Sequence, residues 1–400
     1  MITLPLHKTN DKTQCCGCNA CGDVCTHEAI SYKTDEEGFW YPEINHTRCV
    51  ECGLCKRVCP MSKESEAKLS QYNTPICIGA YHKNISIRMD STSGGVFSVL
   101  AETMYNQGGY VSGAIYTDQF DVVNLISNSP DDLARLRRSK YAQSSAIGLY
   151  RQIQKLLVLG EQVLVCGIPC QMAAIRSFLR KDYPNLIIVD LLCKSCNSPK
   201  VFHKYLSWLE AQYHSKVVAC QERDKEHGWN SLTRRIDFKD GQTFYGKGYK
   251  DLFQRGFQYN IYERPSCYNC QFKGIPRYGD ITLGDFWGIN NVDKSFYDNK
   301  GTSLVLLNNE KGKEFFETVK HSLVWKTFNL DDAIAGNRLA IIGGQIEDSL
   351  GNKRKDFFQD IDKLAFDQVA KKYFPLRKPS IAIVIKKKIK RLLEHIKQRI

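Results

Sequence analysis

The chain has 400 residues, 42% of them hydrophobic, and a formal net charge of +13 at pH 7. This length allows two or three domains with adequate cores, and the hydrophobic fraction is that of a globular protein, not of a disordered chain. Residues Met1–Asn10 lack the basic start and apolar run of a signal peptide, and no apolar stretch approaches the ~18 residues of a membrane span. We therefore expect a cytoplasmic protein.

Most of the net positive charge lies at the carboxyl end. From Arg377 to Arg399 nine lysines or arginines accompany one acidic residue, Glu394. The remaining chain is only mildly basic and has no nucleic-acid-binding motif with interleaved aromatics, so we expect no nucleic acid partner. Apolar residues recur at three- and four-residue steps from Ser380 to Ile400, which predicts a basic amphipathic helix in a tail over residues 373–400. Such a helix would either contact an anionic membrane surface peripherally or remain a solvated terminal helix.

The 17 cysteines point to metal or redox chemistry, because clustered cysteines in a reducing compartment are rarely disulfides. Two runs share the spacing of bacterial two-cluster ferredoxins: Cys15, Cys18, Cys21 and Cys25, then Cys49, Cys52, Cys55 and Cys59. In that arrangement the fourth cysteine of each run binds the cluster of the other run. One 4Fe-4S cluster is thus predicted at Cys15, Cys18, Cys21 and Cys59, and another at Cys49, Cys52, Cys55 and Cys25.

Zinc is the alternative metal for these runs, although zinc sites favour separated cysteine pairs. Two residues depart from the ferredoxin pattern. Thr26 follows Cys25 where proline is usual, and Cys16 is an extra thiol beside a ligand. We interpret Cys16 as a spare cysteine.

The organisation of the chain predicts a small ferredoxin domain over residues 1–62, a polar linker over 63–75 and a larger domain over 76–372. Strands are expected at Tyr110–Tyr116, Val163–Cys166, Leu186–Cys193 and Ser303–Leu307. Helices are expected at Val96–Gln107, Ile147–Leu159, Met172–Leu179, Val201–Tyr213 and Lys311–His321. This alternation predicts an α/β or α+β domain with a partly parallel sheet.

Two segments of the large domain have the composition of nucleotide-binding elements. Ser91–Val96 places small residues at a helix start, where backbone amides can hold a phosphate. Arg138–Ser144 places a cation, an aromatic ring and hydroxyls before another helix. Each segment also fits an ordinary structural role, as a glycine-containing helix cap or as a solvated turn.

Four cysteines of the large domain predict a third 4Fe-4S cluster. Cys170 and Cys193 follow consecutive predicted strands, and the carboxyl ends of parallel strands meet at one sheet edge. Cys267 and Cys270 have the two-residue gap that lets both thiolates face one cluster. Cys196 has the same spacing from Cys193 and is the rival ligand.

The ordered segments SGG, SKYAQS, GIPCQ, LLC with SPK downstream, CYNC and GDITLGDFWG resemble the family of coenzyme F-420 hydrogenase and dehydrogenase beta subunits over roughly residues 76–358. The resemblance implies a mixed α/β flavin domain, with a 4Fe-4S cluster beside a bound FAD. It points to the same four cysteines, Cys170, Cys193, Cys267 and Cys270. The FAD site that it implies consists of Ser93, Gly94, Gly95, Ser139, Lys140, Tyr141 and Ser144.

The predicted function is that of an iron–sulfur flavoprotein oxidoreductase. It would pass electrons between clusters and a deazaflavin, nicotinamide or organic substrate, with a redox partner protein or small molecule at the other end. The alternatives are an electron-relay or partner-binding module without substrate chemistry, and a zinc-stabilised scaffold. His227 and Asp285 are candidate acid–base groups, but lone His and Asp residues in loops are more often surface or capping residues, so no catalytic residue is assigned.

Overall fold

The computed structural model describes residues 4–65 and 72–376. Its elements before position 65 form the cysteine-rich module, and those from Ile76 onward form the large domain. The helix predicted from Ser380 to Ile400, and the tail beyond position 376, lie outside the described residues.

The module folds around the two cysteine runs. Its elements are α1 (Pro5–Thr9), α2 (Ala20–Val24), β1 (Ile30–Thr34), β2 (Trp40–Ile44) and α3 (Leu54–Arg57). β1 and β2 pair antiparallel, with Ile30 opposite Ile44. α2 and α3 each follow a residue in the left-handed region, Asn19 at φ 70° and Gly53 at φ 76°. Both residues lie between the second and third cysteines of a run, so the chain turns at the same point in each.

A mixed sheet forms the centre of the large domain. The strands are β3 (Ile76–His82), β4 (Tyr110–Tyr116), β5 (Val122–Ser127), β6 (Ser144–Ser145), β7 (Val163–Gly167), β8 (Leu186–Leu191), β9 (Val217–Asp224), β10 (Thr233–Phe238), β11 (Thr243–Lys247), β12 (Ile281–Asp285), β13 (Ser303–Leu307) and β14 (Leu323–Thr327). Nine of them form one sheet in the order β14-β3-β13-β12-β8-β7-β4-β5-β6. β12, β8, β7 and β4 are parallel neighbours, whereas β3, β13 and β14 pair antiparallel. The predicted class, a mixed α/β domain with a partly parallel sheet behind a small ferredoxin module, is confirmed.

Helices cover the sheet and connect its strands. They are α4 (Ile85–Met89), α5 (Val96–Asn106), α6 (Leu133–Leu136), α7 (Leu149–Val158), α8 (Pro169–Leu179), α9 (Pro199–Tyr213), α10 (Leu252–Gln258), α11 (Ile289–Val292), α12 (Glu310–Val319), α13 (Leu330–Ile341), α14 (Arg354–Lys363) and α15 (Phe366–Tyr373). The five predicted helices correspond to α5, α7, α8, α9 and α12. No helix in the described part of the chain is long and apolar enough to cross a membrane.

A second, three-stranded sheet in the order β11-β10-β9 was not predicted. It packs with α9, α10, α14 and α15 around a separate apolar core that includes Phe202, Phe253 and Phe357. β9 and β10 have charged residues on their buried side: Arg234 is 1% exposed and donates to Glu222 and Asp251, both buried. Because of these charged residues, β9 and β10 lack the apolar runs from which strands were predicted in the sequence.

The module and the large domain share a hydrophobic core. Cys18, Ala20 and Val58 of the module pack in one cluster with residues of α7 and α8, among them Tyr150 and Phe178. Burial of apolar surface between the two parts therefore stabilises both, and the module is a docked part of the fold. The boundaries predicted at residues 62, 75 and 372 remain predictions.

Candidate functional site

The cysteines of the module form two groups, and each group combines three residues of one run with the last residue of the other. Cys25, Cys49, Cys52 and Cys55 line one cavity. The pKa of Cys55 is raised by burial and then by the neighbouring thiolates of Cys52, Cys49 and Cys25. Cys25 thus lies with the second run, as crossed ligation requires.

The other group contains the first three cysteines of the first run and Cys59. The pKa of Cys21 is raised by burial and then by Cys18, with smaller contributions from Cys15 and Cys59. Tyr32 lies beside this group, with its hydroxyl 3.5 Å from the Cys21 Sγ. The structure therefore brings together both predicted ligand sets of the module.

A third group of cysteines lies at the carboxyl edge of the central strands. Val163 to Gly167 of β7 pair in parallel with Leu186 to Asp190 of β8, so Cys170 and Cys193 follow neighbouring strands at the same edge. The pKa of Cys193 is raised to about 11, by burial and then by Cys270. The pKa of Cys267 is raised to about 12, by burial and then by Cys193 and Cys270. The four cysteines predicted for a third cluster are therefore neighbours.

Cys196 belongs to the same group. Its backbone amide donates to the Cys267 Sγ at 3.4 Å, and burial followed by the Cys267, Cys193 and Cys270 thiolates raises its own pKa. The structure thus holds five cysteines where a 4Fe-4S cluster needs four ligands. The choice of Cys170, Cys193, Cys267 and Cys270 over Cys196 stays a prediction.

The spacing of these groups differs from that of a single-ion site. Over residues 4–65 and 72–376, no group of three or more His, Cys, Asp or Glu side chains is arranged to hold one metal ion. Each cysteine of a cubane binds a different iron, so its ligands surround a larger object than one ion. The three cysteine groups have the chemical composition that 4Fe-4S clusters require.

The module is docked onto the N-terminus of α7. The Asp23 carboxylate accepts hydrogen bonds from the backbone amides of Gly148 and Tyr150, at 2.7 and 3.0 Å. The Tyr150 hydroxyl donates to the Cys18 carbonyl at 2.6 Å, and the Ala146 amide donates to the Asn19 side chain at 3.0 Å. An acidic side chain at a helix N-terminus is stabilised by the helix dipole. These contacts fix the loop that carries Cys18.

Arg264 joins the module to the third group of cysteines. Its guanidinium is fully buried and donates to the Cys15 carbonyl (2.8 Å), the Gln143 side chain (2.9 Å) and the Trp40 carbonyl (3.1 Å). Its own backbone carbonyl accepts from the Cys267 amide, and its amide donates to the Cys196 carbonyl. One residue thus contacts a ligand loop in each of two predicted cluster sites.

The glycine segment predicted to hold FAD packs against the central sheet. The Gly94 amide donates to the Ser303 hydroxyl at 2.9 Å, and the Ser93 hydroxyl donates to the Thr302 carbonyl at 2.9 Å. A Cβ at position 94 would lie 2.7 Å from the Ser303 amide nitrogen, so only glycine fits there. Gly95 has φ +88° and caps α5. Packing against Ser303 explains Gly94, and the backbone conformation at the helix cap explains Gly95. A role of either glycine in flavin binding stays a prediction.

The second predicted FAD segment is also tied into the fold. The Lys140 ammonium donates to the carbonyls of Arg135 and Arg137 at 2.7 and 2.6 Å, so it caps the end of α6. The Ser144 hydroxyl accepts from Gln171, and the Ser139 amide donates to the Thr92 hydroxyl. The contribution of these residues to flavin binding remains a prediction.

Tyr141 belongs to an aromatic and cationic wall near the third group of cysteines. Its ring lies 5.2 Å from that of Phe257, and the ammonium of Lys194, which follows Cys193, is 4.3 Å from the Phe257 ring. A second set of rings continues the wall: Arg223 lies over the ring of Trp287, and the ring centroids of Trp287 and Trp229 are stacked 4.6 Å apart. We define this aromatic wall as Tyr141, Phe257, Arg223, Trp229 and Trp287. Flat aromatic surfaces beside a cation suit the ring system and charge of a flavin.

Arg223 offers an unused donor in this wall. Its Nη1 donates to Asp285 at 2.9 Å, but its buried Nη2 has no acceptor among the described residues. Burying a hydrogen-bond donor without an acceptor is energetically unfavourable unless a bound molecule accepts the hydrogen bond. Asp285 also accepts from the Trp229 indole at 3.2 Å, whereas His227 is exposed and packs edge-on against Tyr245. Sequence reasoning missed Arg223 because nothing in the sequence indicates that this cation is buried.

Lys140 leads to a testable pH dependence. Burial lowers its pKa from 10.5 to about 7. Between these values the folded chain has released a proton that the unfolded chain retains, so the free energy of unfolding rises with pH. From pH 7 to about pH 8.5, anaerobic urea unfolding should show a rise about 1 kcal/mol larger for the wild type than for Lys140→Met. Lys155→Met, at an exposed site, is the control; equal rises in wild type and Lys140→Met would contradict the prediction.

Comparison with known proteins identifies both parts of the chain. Residues 160–333 match the family described as the C terminus of coenzyme F420 hydrogenase/dehydrogenase beta subunits, and residues 14–63 match the 4Fe-4S dicluster domain. The first of these matches lies entirely within the large domain. The family predicted from the sequence is confirmed, and so is a module that binds 4Fe-4S clusters. The chain is thus an iron–sulfur protein related to oxidoreductases.

Individual relatives are distant. The chain is 21% identical over 322 residues to one of the subunits of the F(420)H(2) dehydrogenase of Methanosarcina mazei, covering 77% of this chain and 83% of the relative. It is 25% identical over 335 residues to the coenzyme F420-dependent sulfite reductase of Methanocaldococcus jannaschii, covering 80% of this chain but only 48% of that protein. A chain of the F420-reducing [NiFe] hydrogenase complex from Methanosarcina barkeri is similar in structure, with a TM-score of 0.46, 17% identity, and coverage of 73% of this chain and 94% of the other.

Proposed function

We propose that the chain is a flavin-dependent iron–sulfur oxidoreductase subunit. It passes electrons between a two-electron donor or acceptor, such as a deazaflavin, and the clusters of its ferredoxin module. The observation that carries this proposal is the order of the sites. The aromatic wall adjoins the third group of cysteines, and that group adjoins the first cysteine group of the module through Arg264.

The residues of the aromatic wall would position FAD. Bound FAD interconverts two-electron and one-electron transfer. Tyr141 would provide an aromatic surface for its rings, and the free Nη2 of Arg223 would donate to a ring or phosphate oxygen. Ser93, Gly94, Gly95, Ser139, Lys140 and Ser144 complete the proposed site, and Cys170, Cys193, Cys267 and Cys270 would hold the neighbouring cluster.

The second cysteine group of the module would face a redox partner. Cys52 is exposed, and the neighbouring Val50 is an exposed apolar side chain at the rim of the same cavity. The first group is covered by the large domain, so a partner protein would reach the second group first. The Methanosarcina mazei relative is by name one of several dehydrogenase subunits, which supports such a partner.

An electron relay without its own substrate chemistry is the second candidate. It is favoured by the engagement of two polar groups near the wall: Asp285 is paired with Arg223, and Lys140 caps α6. Both groups thus have structural partners within the fold. A relay would carry iron and lack flavin.

Anaerobic purification with metal analysis and cofactor extraction tests these alternatives. We expect about twelve irons and one FAD per chain, with visible bands that bleach when a reduced deazaflavin or nicotinamide is added. Cys52→Ala should remove the signal of one ferredoxin cluster from the electron paramagnetic resonance (EPR) spectrum. Iron without flavin would support the relay, and zinc without iron would refute both functions.

A further inference from the structure

Lys225 is a buried lysine that is held by peptide carbonyls. It directly follows β9 and is 3% exposed. Its ammonium donates to the carbonyls of Arg88 and Ser93, each at 2.5 Å, and to that of Lys300 at 2.8 Å. An ammonium has three N–H donors, so these three acceptors satisfy it completely. Lys225 thus connects α4, the glycine segment Ser93–Gly95 and the loop before β13.

The peptide unit between Ser93 and Gly94 is fixed at both of its polar atoms. Its carbonyl oxygen accepts from Lys225, and its N–H donates to the Ser303 hydroxyl at 2.9 Å. The next residue, Gly95, has φ +88° and begins α5 as its cap. The orientation of this peptide unit, and with it the path of the chain into α5, therefore depends on Lys225.

The space around the ammonium is small. Gly301 has φ +97°, and a Cβ at this position would lie 2.7 Å from the Ser93 carbonyl oxygen and 3.1 Å from the Lys225 Nζ. Only glycine leaves room for the lysine there. Arg88 donates to the Gly301 carbonyl at 2.9 Å and pairs with both carboxylate oxygens of Asp298. These contacts hold the three carbonyls in place around the ammonium.

We propose that Lys225 is a positioning residue for the proposed flavin site, with its ammonium holding the glycine segment in the conformation that binds FAD. The proposal rests on the proposed function, because it requires this segment to bind FAD. Removal of the ammonium leaves three buried carbonyl oxygens without a donor, which is unfavourable, so the segment would move. Backbone carbonyls can replace the hydration shell of a free cation, so a small ammonium ion could substitute for the lost side chain.

Chemical rescue in the full chain tests this role. The dissociation constant of FAD is measured by fluorescence on anaerobic, flavin-free protein at about pH 6, because burial lowers the pKa of Lys225 to about 7 and the ammonium form is needed. In Lys225→Ala this constant should rise about tenfold. Ethylammonium chloride should reverse most of the rise, whereas sodium chloride at equal ionic strength should not. Lys225→Met fills the space of the side-chain stem and should show the same rise without rescue.

A second variant disturbs the same contact and keeps the lysine, so the test does not depend on the folding of Lys225→Ala. In Gly301→Ala the new Cβ displaces the Ser93 carbonyl, which should weaken FAD binding without any response to ethylammonium. Gly241→Ala is the matched control, because Gly241 has a similar φ of +89° but nothing within 4 Å of the added Cβ. Its affinity for FAD should equal that of the wild type.

The wild type separates failure of this inference from failure of the proposed function. A wild type that binds no FAD would refute the proposed function and this role together. A wild type that binds FAD, with unchanged dissociation constants in Lys225→Ala and Gly301→Ala, would refute the role of Lys225 alone. A rise in Lys225→Ala that ethylammonium does not reverse would also overturn the proposal, because it would indicate a general loss of structure.

Discussion

Replacing Arg264 by methionine is expected to lower the free energy of unfolding by about 3 kcal/mol or more. The substitution removes the donors that serve the Cys15 carbonyl, the Trp40 carbonyl and the Gln143 side chain in the protein interior. Each buried acceptor left without a partner costs about 1 to 3 kcal/mol. Anaerobic denaturant unfolding, followed by the visible absorbance of the clusters and by tryptophan fluorescence, measures the loss.

The matched control is Arg135→Met. Arg135 is on α6, its side chain is 54% exposed, and it pairs with Asp132 at the surface, so its loss should change stability by less than about 1 kcal/mol. Because Arg264 holds the loop of Cys15, the first cluster should also be lost earlier than the second during unfolding of Arg264→Met. Equal stability of the two variants would show that Arg264 does not hold the junction.

Replacing Cys267 by serine is expected to remove the third cluster and leave the ferredoxin pair. Iron should fall from about twelve to about eight per chain, with loss of one EPR signal. Serine is similar in size but is a poor ligand for iron, so a large effect on the fold is not expected. Cys267 is the most informative position, since its sulfur accepts from the Cys196 amide and its own amide donates to the Arg264 carbonyl.

Cys196→Ser is the matched variant, because it changes the fifth cysteine of the same group. If the predicted ligands are correct, Cys196→Ser retains about twelve irons. The converse pattern, with iron lost from Cys196→Ser and kept in Cys267→Ser, would assign Cys196 as the ligand. Retention of twelve irons in both would mean that the cluster exchanges one cysteine for the other.

The cysteine groups could be predicted because their spacing encodes their chemistry. Once Cys25 ends the first run and Cys59 the second, the crossed pairing follows from the ferredoxin pattern. Cys170 and Cys193 could be placed together because strands separated by one helix are parallel neighbours. Only local spacing and strand order were needed for both predictions.

Interactions between distant segments could not be predicted in the same way. Asp23 accepts from amides of α7 more than 120 residues away, and Arg264 contacts Cys15 across 249 positions. Nothing near either residue in the sequence indicates its partner. Lys140 could not be placed from its neighbours either: its ammonium binds carbonyls at the end of α6, the helix that precedes it, and its part in a nucleotide site stays a prediction.

Docking of the module against α7 has a kinetic consequence. A carrier domain on a flexible tether must find its docking site in every cycle, so its transfer rate depends on tether length through the effective concentration. Here the Asp23 contacts with α7 and the Arg264 contacts keep the first cysteine group beside the third. Transfer between them would need no diffusive search, and insertions or deletions between positions 63 and 75 would leave its rate unchanged.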